Sequence, residues 1–253
     1  MRTHRIVLYF ACMYSHVFDI ASTQVNASLH LKLSSLLQMM QDVATEGAEY
    51  IGVGTSVTYP RGLLWVISRM EIDIIETPKY KDRIEIFTYP GKTLGFFYPR
   101  HFIIKNQEGR VIMRANSVWA LIHKEDRHLE MKNAFPGVDG ESHEGELPRP
   151  KKLLPVLDGP ILEERRIRYS DVDLNGHLNN TKYVEMIEDL LDGKEHAMRI
   201  LKHVVLNYDR EIHENDVITF RGQMGLDALV GGMVGDTPCF EAELKYERWT
   251  PNL

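Results

Sequence analysis

Apolar residues recur at helical spacing in the second half of the chain. They occupy positions i, i+3, i+4, i+7 and i+8, and acidic residues fall between them: Tyr183, Met186, Ile187, Leu190 and Leu191 are apolar, and Glu185, Glu188 and Asp189 are acidic. This spacing predicts an amphipathic helix. Asn179 or Asn180 can cap its start by accepting a backbone N–H bond, and Gly193 can close its end in the left-handed conformation.

A second amphipathic helix is predicted for residues 34–50 in the first half. Aligning Leu36 with Tyr183 brings the two helical patterns into register and places His30 against His177. On the same register Asn26 matches Asp173 and Ser28 matches Asn175, so the first copy has no carboxylate. A duplication with one degenerate site is the simplest interpretation. We therefore expect His30 to be a relic or a packed residue.

Runs rich in β-branched and aromatic residues follow each predicted helix. They cover residues 63–76, 82–89, 96–105 and 110–123 in the first half, and 201–208, 216–224 and 239–249 in the second. The opening run before Phe18 is predicted to be a first strand rather than a signal peptide. The expected architecture is α+β, with two antiparallel sheets, each wrapped around a long helix.

The stretch 135–160 separates the two halves. It contains five prolines and four glycines, a composition typical of a linker that crosses the surface. The sequence thus predicts an N-terminal domain at 1–134, a linker at 135–160 and a C-terminal domain at 161–253. No apolar run approaches the roughly 20 residues that span a bilayer. Cys12 and Cys239 are too few for a disulfide framework, so we expect two core thiols and a cytoplasmic location.

Candidate chemistry concentrates just before the second helix. If residues 173–177 are extended, the side chains of Asp173, Asn175 and His177 point the same way, because side chains alternate along a strand. An acid, an amide and an imidazole then share one site. The free N–H groups at the following helix start favour negative charge, including charge that develops in a transition state.

Four stretches resemble the acyl-acyl carrier protein thioesterases, a family of tandem hotdog domains. They are residues 169–183 (YSDVDLNGHLNNTKY), 62–69 (GLLWVISR), 109–119 (ending ANSVW) and 206–211 (LNYDRE). The resemblance implies that fatty acyl groups are hydrolysed from acyl carrier protein, which ends fatty acid synthesis. It also implies a catalytic set of Asp173, Asn175, His177 and Glu211. No cofactor and no metal are implied.

Two positions depart from the family pattern. Ile212 stands where plant members have a cysteine after the glutamate, which excludes a thiol mechanism there. Met186 stands where the family often has tryptophan, which changes the packing near the site. Either Glu211 or Asp173 can act as general base toward water or attack directly to give an anhydride, and we favour water. His177 can polarise the carbonyl or protonate the leaving thiolate, and Asn175 can orient water or carbonyl.

The charge of each half indicates which one binds an acidic carrier protein. Residues 1–134 hold 16 basic and 13 acidic side chains, and residues 135–253 hold 14 and 23, which sums to the net charge of −6. Because acyl carrier proteins are acidic, the net-positive first half, with Arg149, Lys151 and Lys152 of the linker, is the expected docking face. Nucleic acid is not expected as a partner. We expect a monomer or a homodimer.

Two other functions share the predicted fold. One is hydrolysis of acyl-coenzyme A by a hotdog enzyme, against which the tandem arrangement argues. The other is non-catalytic acyl binding, for which the set of Asp173, Asn175 and His177 would be superfluous. A hotdog dehydratase is disfavoured because its His-Phe-Pro signature is absent. Trp65 and Trp119 are expected in the core rather than at an acyl pocket. Met40 and Val43 are the first-helix positions at which we expect a tunnel to be lined.

Overall fold

The computed structural model describes residues 12–130, 135, 140 and 145–249. In the first half, helix α1 is Leu33–Tyr50, α2 is Thr55–Thr58, and the strands are β1 (Tyr14–Asp19), β2 (Leu63–Ile74), β3 (Arg83–Pro90), β4 (Phe97–Asn106) and β5 (Val111–His123). In the second half, α3 is Asn180–Glu188, α4 is Gly193–Ala197, and the strands are β6 (Ile161–Arg166), β7 (Arg199–Tyr208), β8 (Val217–Gln223), β9 (Asp227–Val234) and β10 (Thr237–Arg248).

The ten strands form one antiparallel sheet, in the order β1-β3-β4-β5-β2-β7-β10-β9-β8-β6. The order of the first five strands is repeated by the last five, read from the opposite edge. The halves join where β2 pairs with β7, from Arg69 opposite Asn207 to Asp73 opposite His203. The two sheets expected from the sequence are therefore joined edge to edge, as the halves of one continuous sheet. Pairing β2 with β7 satisfies the backbone groups that each half would otherwise leave exposed at an edge.

Helices α1 and α3 cover one face of this sheet, and their apolar sides share a core with its inward side chains. The two helices meet end to start, because the carboxylate of Glu188 at the end of α3 accepts from the backbone N–H groups of Leu33 and Ser34 at 2.9 and 3.2 Å. Glu188 thus supplies the N-terminal cap of α1 from the other half.

The second helix is shorter than its apolar pattern predicts. Asn179 caps its start as expected, accepting from Thr181 N–H at 2.9 Å. It ends at Glu188, however, and Gly193 is the first residue of α4 rather than a closing glycine. The side chain of Asp192 accepts from the N–H groups of Lys194 and Glu195 and so caps a new helix, which is why Gly193 begins α4.

The seven runs predicted as strands are found within two residues of their expected ends, and β1 lies in the opening run, whose residues before Cys12 are outside the described part of the chain. A further strand, β6, precedes the second helix. Strand β9 was missed because it contains Gly231 and Gly232, which weaken the sequence signal for a strand. The linker leaves no room for a side chain at Gly231. A Cβ on Gly231 would lie 2.8 Å from the side chain of Val156 in the linker.

The described part of the linker crosses the sheet face opposite the helices. Two buried asparagines hold it: Asn116 donates to the carbonyls of Leu147 and Pro148, and Asn207 accepts from Leu153 N–H at 3.0 Å. Lys151 of the linker pairs with Glu243 of β10. The described part of the linker is therefore bound to the surface, and the Lys151 charge is already engaged.

The two cysteines differ in their surroundings. Cys239 is buried, which raises the pKa of its thiol, whereas Cys12 is only partly buried, so the expectation of two core thiols is half right. No helix among the described residues has the length and apolar composition of a membrane span.

Candidate active site

Residues 173–177 form a closed turn rather than the expected extended segment. Asp173 N–H donates to His177 O at 2.8 Å, and Gly176 N–H donates back to Asp173 O at 3.0 Å. The Asp173 carboxylate accepts from the N–H groups of Asn175 and His177 at 2.8 and 3.4 Å, so the side chain itself closes the turn. Short acidic side chains favour such local bonds, and this bonding overrides the alternation that the sequence suggests.

The first half contains the same turn. Asn26 accepts from Ser28 and His30 N–H at 2.9 and 3.1 Å, and Asn26 N–H donates to His30 O at 2.8 Å. Leu29 takes the left-handed conformation that Gly176 takes in the second copy. The predicted register, with Asn26 on Asp173 and His30 on His177, is thereby confirmed. His30 itself packs edge-on against Trp249, with 5.3 Å between ring centroids.

A cavity of about 330 Å³ lies between the two halves. Its first-half wall is a stripe on α1 at positions i, i+3, i+4 and i+7, namely Gln41, Ala44, Thr45 and Ala48, together with residues of the loop after α1 and of the adjacent strands. Trp65 and Trp119 also line it, so the expectation that they lie away from a pocket is wrong. Met40 and Val43 are buried about a quarter turn from the stripe, Val43 in the core and Met40 beside a smaller void of about 20 Å³ that shares Gln41 with the cavity.

Arg100 is a charged group on the first-half wall of the cavity. Its side chain is partly buried, and this burial lowers the pKa of the guanidinium to about 10. It donates to the Thr88 hydroxyl at 3.2 Å. The first-half wall is therefore mixed in character, with a cation among the aromatic and small side chains.

The second half closes the cavity with its turn and the start of α3. Asp173, Leu174, Asn175, Asn179 and Asn180 line it. Asn175 is held across the junction, because the Tyr59 hydroxyl donates to its Oδ1 at 3.1 Å. Asp173 and Asn175 thus face the same space, as the sequence analysis expects, although a turn rather than a strand brings them there.

His177 and Glu211 pair with each other beside this turn and do not line the cavity. His177 Nδ1 lies 3.4 Å from Glu211 Oε1, and the His177 ring meets His213 edge-on at 4.8 Å. The pKa of His177 is lowered, first by burial and then by the positive charge of Arg127, which lies against the same Glu211 oxygen. The imidazole is therefore neutral near neutral pH.

The starts of the two long helices differ in what they face. The start of α1 is occupied by the carboxylate of Glu188, as described above. Gln41, the residue that matches Glu188 in the repeat, is uncharged and lines the cavity with Asn180 at the start of α3. The start of α3 therefore faces the cavity, whereas the start of α1 is occupied by the carboxylate of Glu188. The N–H groups at the start of α3 can thus bind an oxyanion in the cavity.

Arg127 and Tyr59 were missed by the sequence analysis. Both belong to the first half and reach second-half site residues, and a reader of the sequence has no local signal for such contacts. The left-handed backbone of Arg127 is likewise visible only in the structure. Among the described residues, no group of three or more His, Cys, Asp or Glu side chains could hold a metal ion.

Comparison with known families agrees with this arrangement. Residues 11–132 match the acyl-ACP thioesterase N-terminal domain, where ACP is acyl carrier protein, and residues 158–230 match the C-terminal domain. The chain belongs to the acyl-ACP thioesterase family. It is 26% identical over 235 residues to oleoyl-acyl carrier protein thioesterase 2, chloroplastic, of Arabidopsis thaliana, covering 81% of this chain and 61% of that protein. It is 25% identical over 221 residues to the chloroplastic palmitoyl-acyl carrier protein thioesterase of Cuphea hookeriana, covering 79% of this chain and 52% of that protein.

Solved structures from this family have the same fold. An acyl-ACP thioesterase from Bacteroides thetaiotaomicron superposes with a TM-score of 0.84 at 21% identity, over 93% of this chain and 98% of that one. The 12:0-ACP thioesterase from Umbellularia californica gives a TM-score of 0.81 at 19% identity, over 94% of this chain and 98% of that one. The predicted fold class is confirmed. The family member described here spans between 52% and 61% of the length of the two plant relatives above.

Proposed function

We propose that this chain hydrolyses the thioester of fatty acyl-acyl carrier protein and releases a free fatty acid. The observation that carries the proposal is the cavity between the halves, because Asp173 and Asn175 close it on one side and small and aromatic side chains of the first half line the other. Family membership supports the same reaction class. The cavity volume of about 330 Å³ is at the lower end of the range for small-molecule pockets.

The chemistry proposed is attack by water on the thioester carbonyl. In a neutral His177 that carries its proton on Nδ1, toward Glu211, the lone pair is on Nε2, and we propose that Nε2 takes a proton from water and later gives it to the leaving thiolate. Glu211 orients the imidazole, as the carboxylate does in a triad. Asn175 positions water or carbonyl, and N–H groups at the start of α3 hold the oxyanion.

Asp173 has a second possible role in this scheme. It lines the cavity, whereas Glu211 does not, so of the two carboxylates it is the better placed to act directly on water or substrate. Both backbone N–H groups donate to the same oxygen, Oδ1, so the bonds that close the turn do not use Oδ2. Direct attack by a carboxylate to form an anhydride stays an alternative that the assay below separates.

A division of labour between the halves follows from the cavity walls. We propose that residues 1–134 bind the acyl chain and the carrier, and that residues 135–160 connect the two domains. Residues 161–253 then carry the catalytic groups Asp173, Asn175, His177 and Glu211. The α1 stripe and the two tryptophans support the first assignment. A cytoplasmic location and a monomeric or dimeric state stay predictions from the sequence.

The test is an assay of the purified chain on a panel of acyl carrier protein and acyl-coenzyme A thioesters. We expect faster turnover of the carrier thioesters, and loss of turnover in His177→Ala with unchanged circular dichroism. Equal or faster turnover of coenzyme A thioesters would favour the acyl-coenzyme A alternative. Acyl binding without turnover would favour a binding protein. Hydrolysis in ¹⁸O-water under single-turnover conditions detects direct attack when water opens the anhydride at the enzyme's carbonyl, because the enzyme carboxylate then gains ¹⁸O and the released fatty acid does not.

A further inference from the structure

The first half reaches into the catalytic groups of the second through one side chain. Arg127 Nη2 lies against Glu211 Oε1, the same oxygen that lies 3.4 Å from His177 Nδ1. Both partners of this ion pair are about one-third exposed, so solvent screens the pair only in part. Glu211 Oε1 is therefore shared between a cation from the first half and the imidazole of the second.

Arg127 is held in place by a tight hairpin after β5. Arg127 N–H donates to His123 O at 3.0 Å, His123 N–H donates to His128 O at 2.9 Å, and Glu130 N–H donates to Leu121 O at 2.8 Å. The His123 and His128 rings stack with 3.8 Å between centroids. The base of the hairpin is also tied to the cavity wall, because Lys124 N–H donates to Gly62 O.

The backbone of Arg127 is left-handed, with φ of 61°. A residue with a Cβ is disfavoured in this conformation, and glycine is not. Arginine at this position therefore makes the local backbone less stable than glycine would. Its side chain reaches Glu211, and we take this contact as the reason for an arginine here. Strain of this kind concentrates at functional sites.

The Glu211 end of the contact is equally constrained. Leu178 N–H donates to Ile212 O at 2.7 Å, and His177 and His213 form a β-bridge. The neighbouring Ile212 side chain is fully buried. With both backbones fixed, the Arg127 side chain is the remaining group that sets where the Glu211 carboxylate points.

We propose that Arg127 is a positioning residue that holds Glu211 against His177, so that the first half completes the catalytic site of the second. This inference rests on the proposed function for its kinetic consequences. The contact itself can be tested without substrate.

The charge of Arg127 also acts on His177. Four groups face this imidazole: Asp173 of its own turn, Glu211 and His213 of the loop after β7, and Arg127 of the first half. Arg127 and His213 lower the pKa of His177, and Asp173 raises it. Removing Arg127 takes away a nearby positive charge and raises this pKa, so any limb of the kcat profile that belongs to His177 moves to higher pH.

The decisive variant is Arg127→Gly, and Lys81→Gly is its matched control. Lys81 is also a basic first-half residue with a left-handed backbone, at φ of 73°, and it touches no site residue. Both substitutions relieve the same backbone strain, so we expect an equal or higher Tm for each. Only Arg127→Gly should lower kcat on acyl-acyl carrier protein, by about 10- to 100-fold, with a smaller change in KM. Arg127→Lys should recover part of the loss.

An NMR titration of the His177 imidazole provides the substrate-free arm. Its pKa should rise in Arg127→Gly and stay unchanged in Lys81→Gly. An unmoved pKa, or a kcat within twofold of the wild type in Arg127→Gly, would overturn the positioning role. If the wild type hydrolyses no thioester, the proposed function fails, but the titration still decides whether Arg127 acts on the His177–Glu211 pair.

Discussion

At the scale of single residues, comparing the two copies of the turn shows which property of Asp173 is required for folding and which is not. Asn26 builds the first copy with a neutral amide oxygen, and Asp173 builds the second with a carboxylate, through the same two backbone N–H bonds. An acceptor oxygen therefore suffices for the turn. The negative charge at position 173 is surplus to folding, which is the pattern expected of a functional group.

Asp173→Asn is accordingly expected to fold and to lose activity. The amide can accept the same N–H bonds as Asn26 does, so the free energy of unfolding should change by less than about 1 kcal/mol. Turnover of acyl-acyl carrier protein should fall about 100- to 10,000-fold, as for loss of a general acid or base. Urea unfolding and kcat measure the two effects. Asn26→Gln, which disturbs only the first turn, is the control for indirect effects, and more than half of wild-type turnover in Asp173→Asn would contradict the assignment.

Glu241 on β10 predicts a pH-dependent stability. It is inaccessible to solvent on the face under the linker, and burial, followed by the nearby Asp209 charge, raises its pKa to about 7. Because the folded pKa lies above the unfolded value, the folded state is penalised as pH rises from about 4.5 toward 7. Glu241→Gln should therefore stabilise the protein by about 2 kcal/mol more at pH 8 than at pH 5.

Urea unfolding at the two pH values measures this difference. Glu243→Gln is the matched control, because Glu243 lies two residues along the same strand on the same face but pairs with Lys151. It should give no gain that grows with pH. An equal gain at pH 5 and pH 8 for Glu241→Gln would show that folding does not raise the pKa of the Glu241 carboxyl.

At the scale of elements, α1 divides its buried surface between core and cavity. The stripe of Gln41, Ala44, Thr45 and Ala48 faces the cavity, and Met40 and Val43, one residue earlier on the helix, face the core. One residue turns a helix by about 100°, so an apolar pattern alone does not tell which buried side meets an empty volume. For this reason neither position expected to line a tunnel, Met40 or Val43, lines the main cavity, although Met40 lines the smaller void beside it.

Ala44→Phe should shorten the preferred acyl chain. The added ring occupies part of the cavity, and each methylene that no longer fits forfeits about 0.8 kcal/mol of burial, which is about fourfold in kcat/KM. Val43→Phe should instead overpack the core and lower stability by about 1–3 kcal/mol without changing chain preference. Rates on a series of chain lengths, together with Tm, measure both. A shift caused by Val43→Phe and not by Ala44→Phe would place the acyl chain elsewhere.

At the scale of the whole molecule, the cavity lies at one end of the first-half strands, where exposed Lys92 stands between the lining residues Gly91 and Thr93. The tip of the β4–β5 hairpin, with Arg110, lies about nine residues along β5 from Trp119, or about 30 Å. If the acidic carrier docks at the cavity end, charges there should matter and those at the hairpin tip should not.

Lys92→Glu should raise KM for acyl-acyl carrier protein about two- to fivefold at low salt, and less at high salt, because exposed charge pairs are weak and screened. KM for an acyl-coenzyme A thioester should rise less. Arg110→Glu, with the same charge change at the far end, should leave both values unchanged. Equal effects of the two reversals would indicate a general charge effect and not a docking face.

Much of this molecule was readable from local patterns. The two helices, seven of the ten strands by their bounds, the linker and the repeat register all follow from periodicity and turn residues, because those features are set by neighbours in sequence. Of the three residues grouped from the sequence, Asp173 and Asn175 line one cavity and His177 lies beside it, and the local bond from Asp173 to its own backbone made a turn where alternation suggested a strand.

The tertiary structure alone decided how the halves combine. The β2–β7 pairing, the Glu188 cap on α1, the Tyr59 contact with Asn175 and the Arg127 contact with Glu211 all join residues far apart in sequence. No periodicity or spacing encodes such pairs, since they arise only when packing brings two surfaces together. The sequence therefore determined the parts and the chemistry that each carries, and packing between the halves determined the shape of the cavity and the first-half groups that touch the catalytic residues.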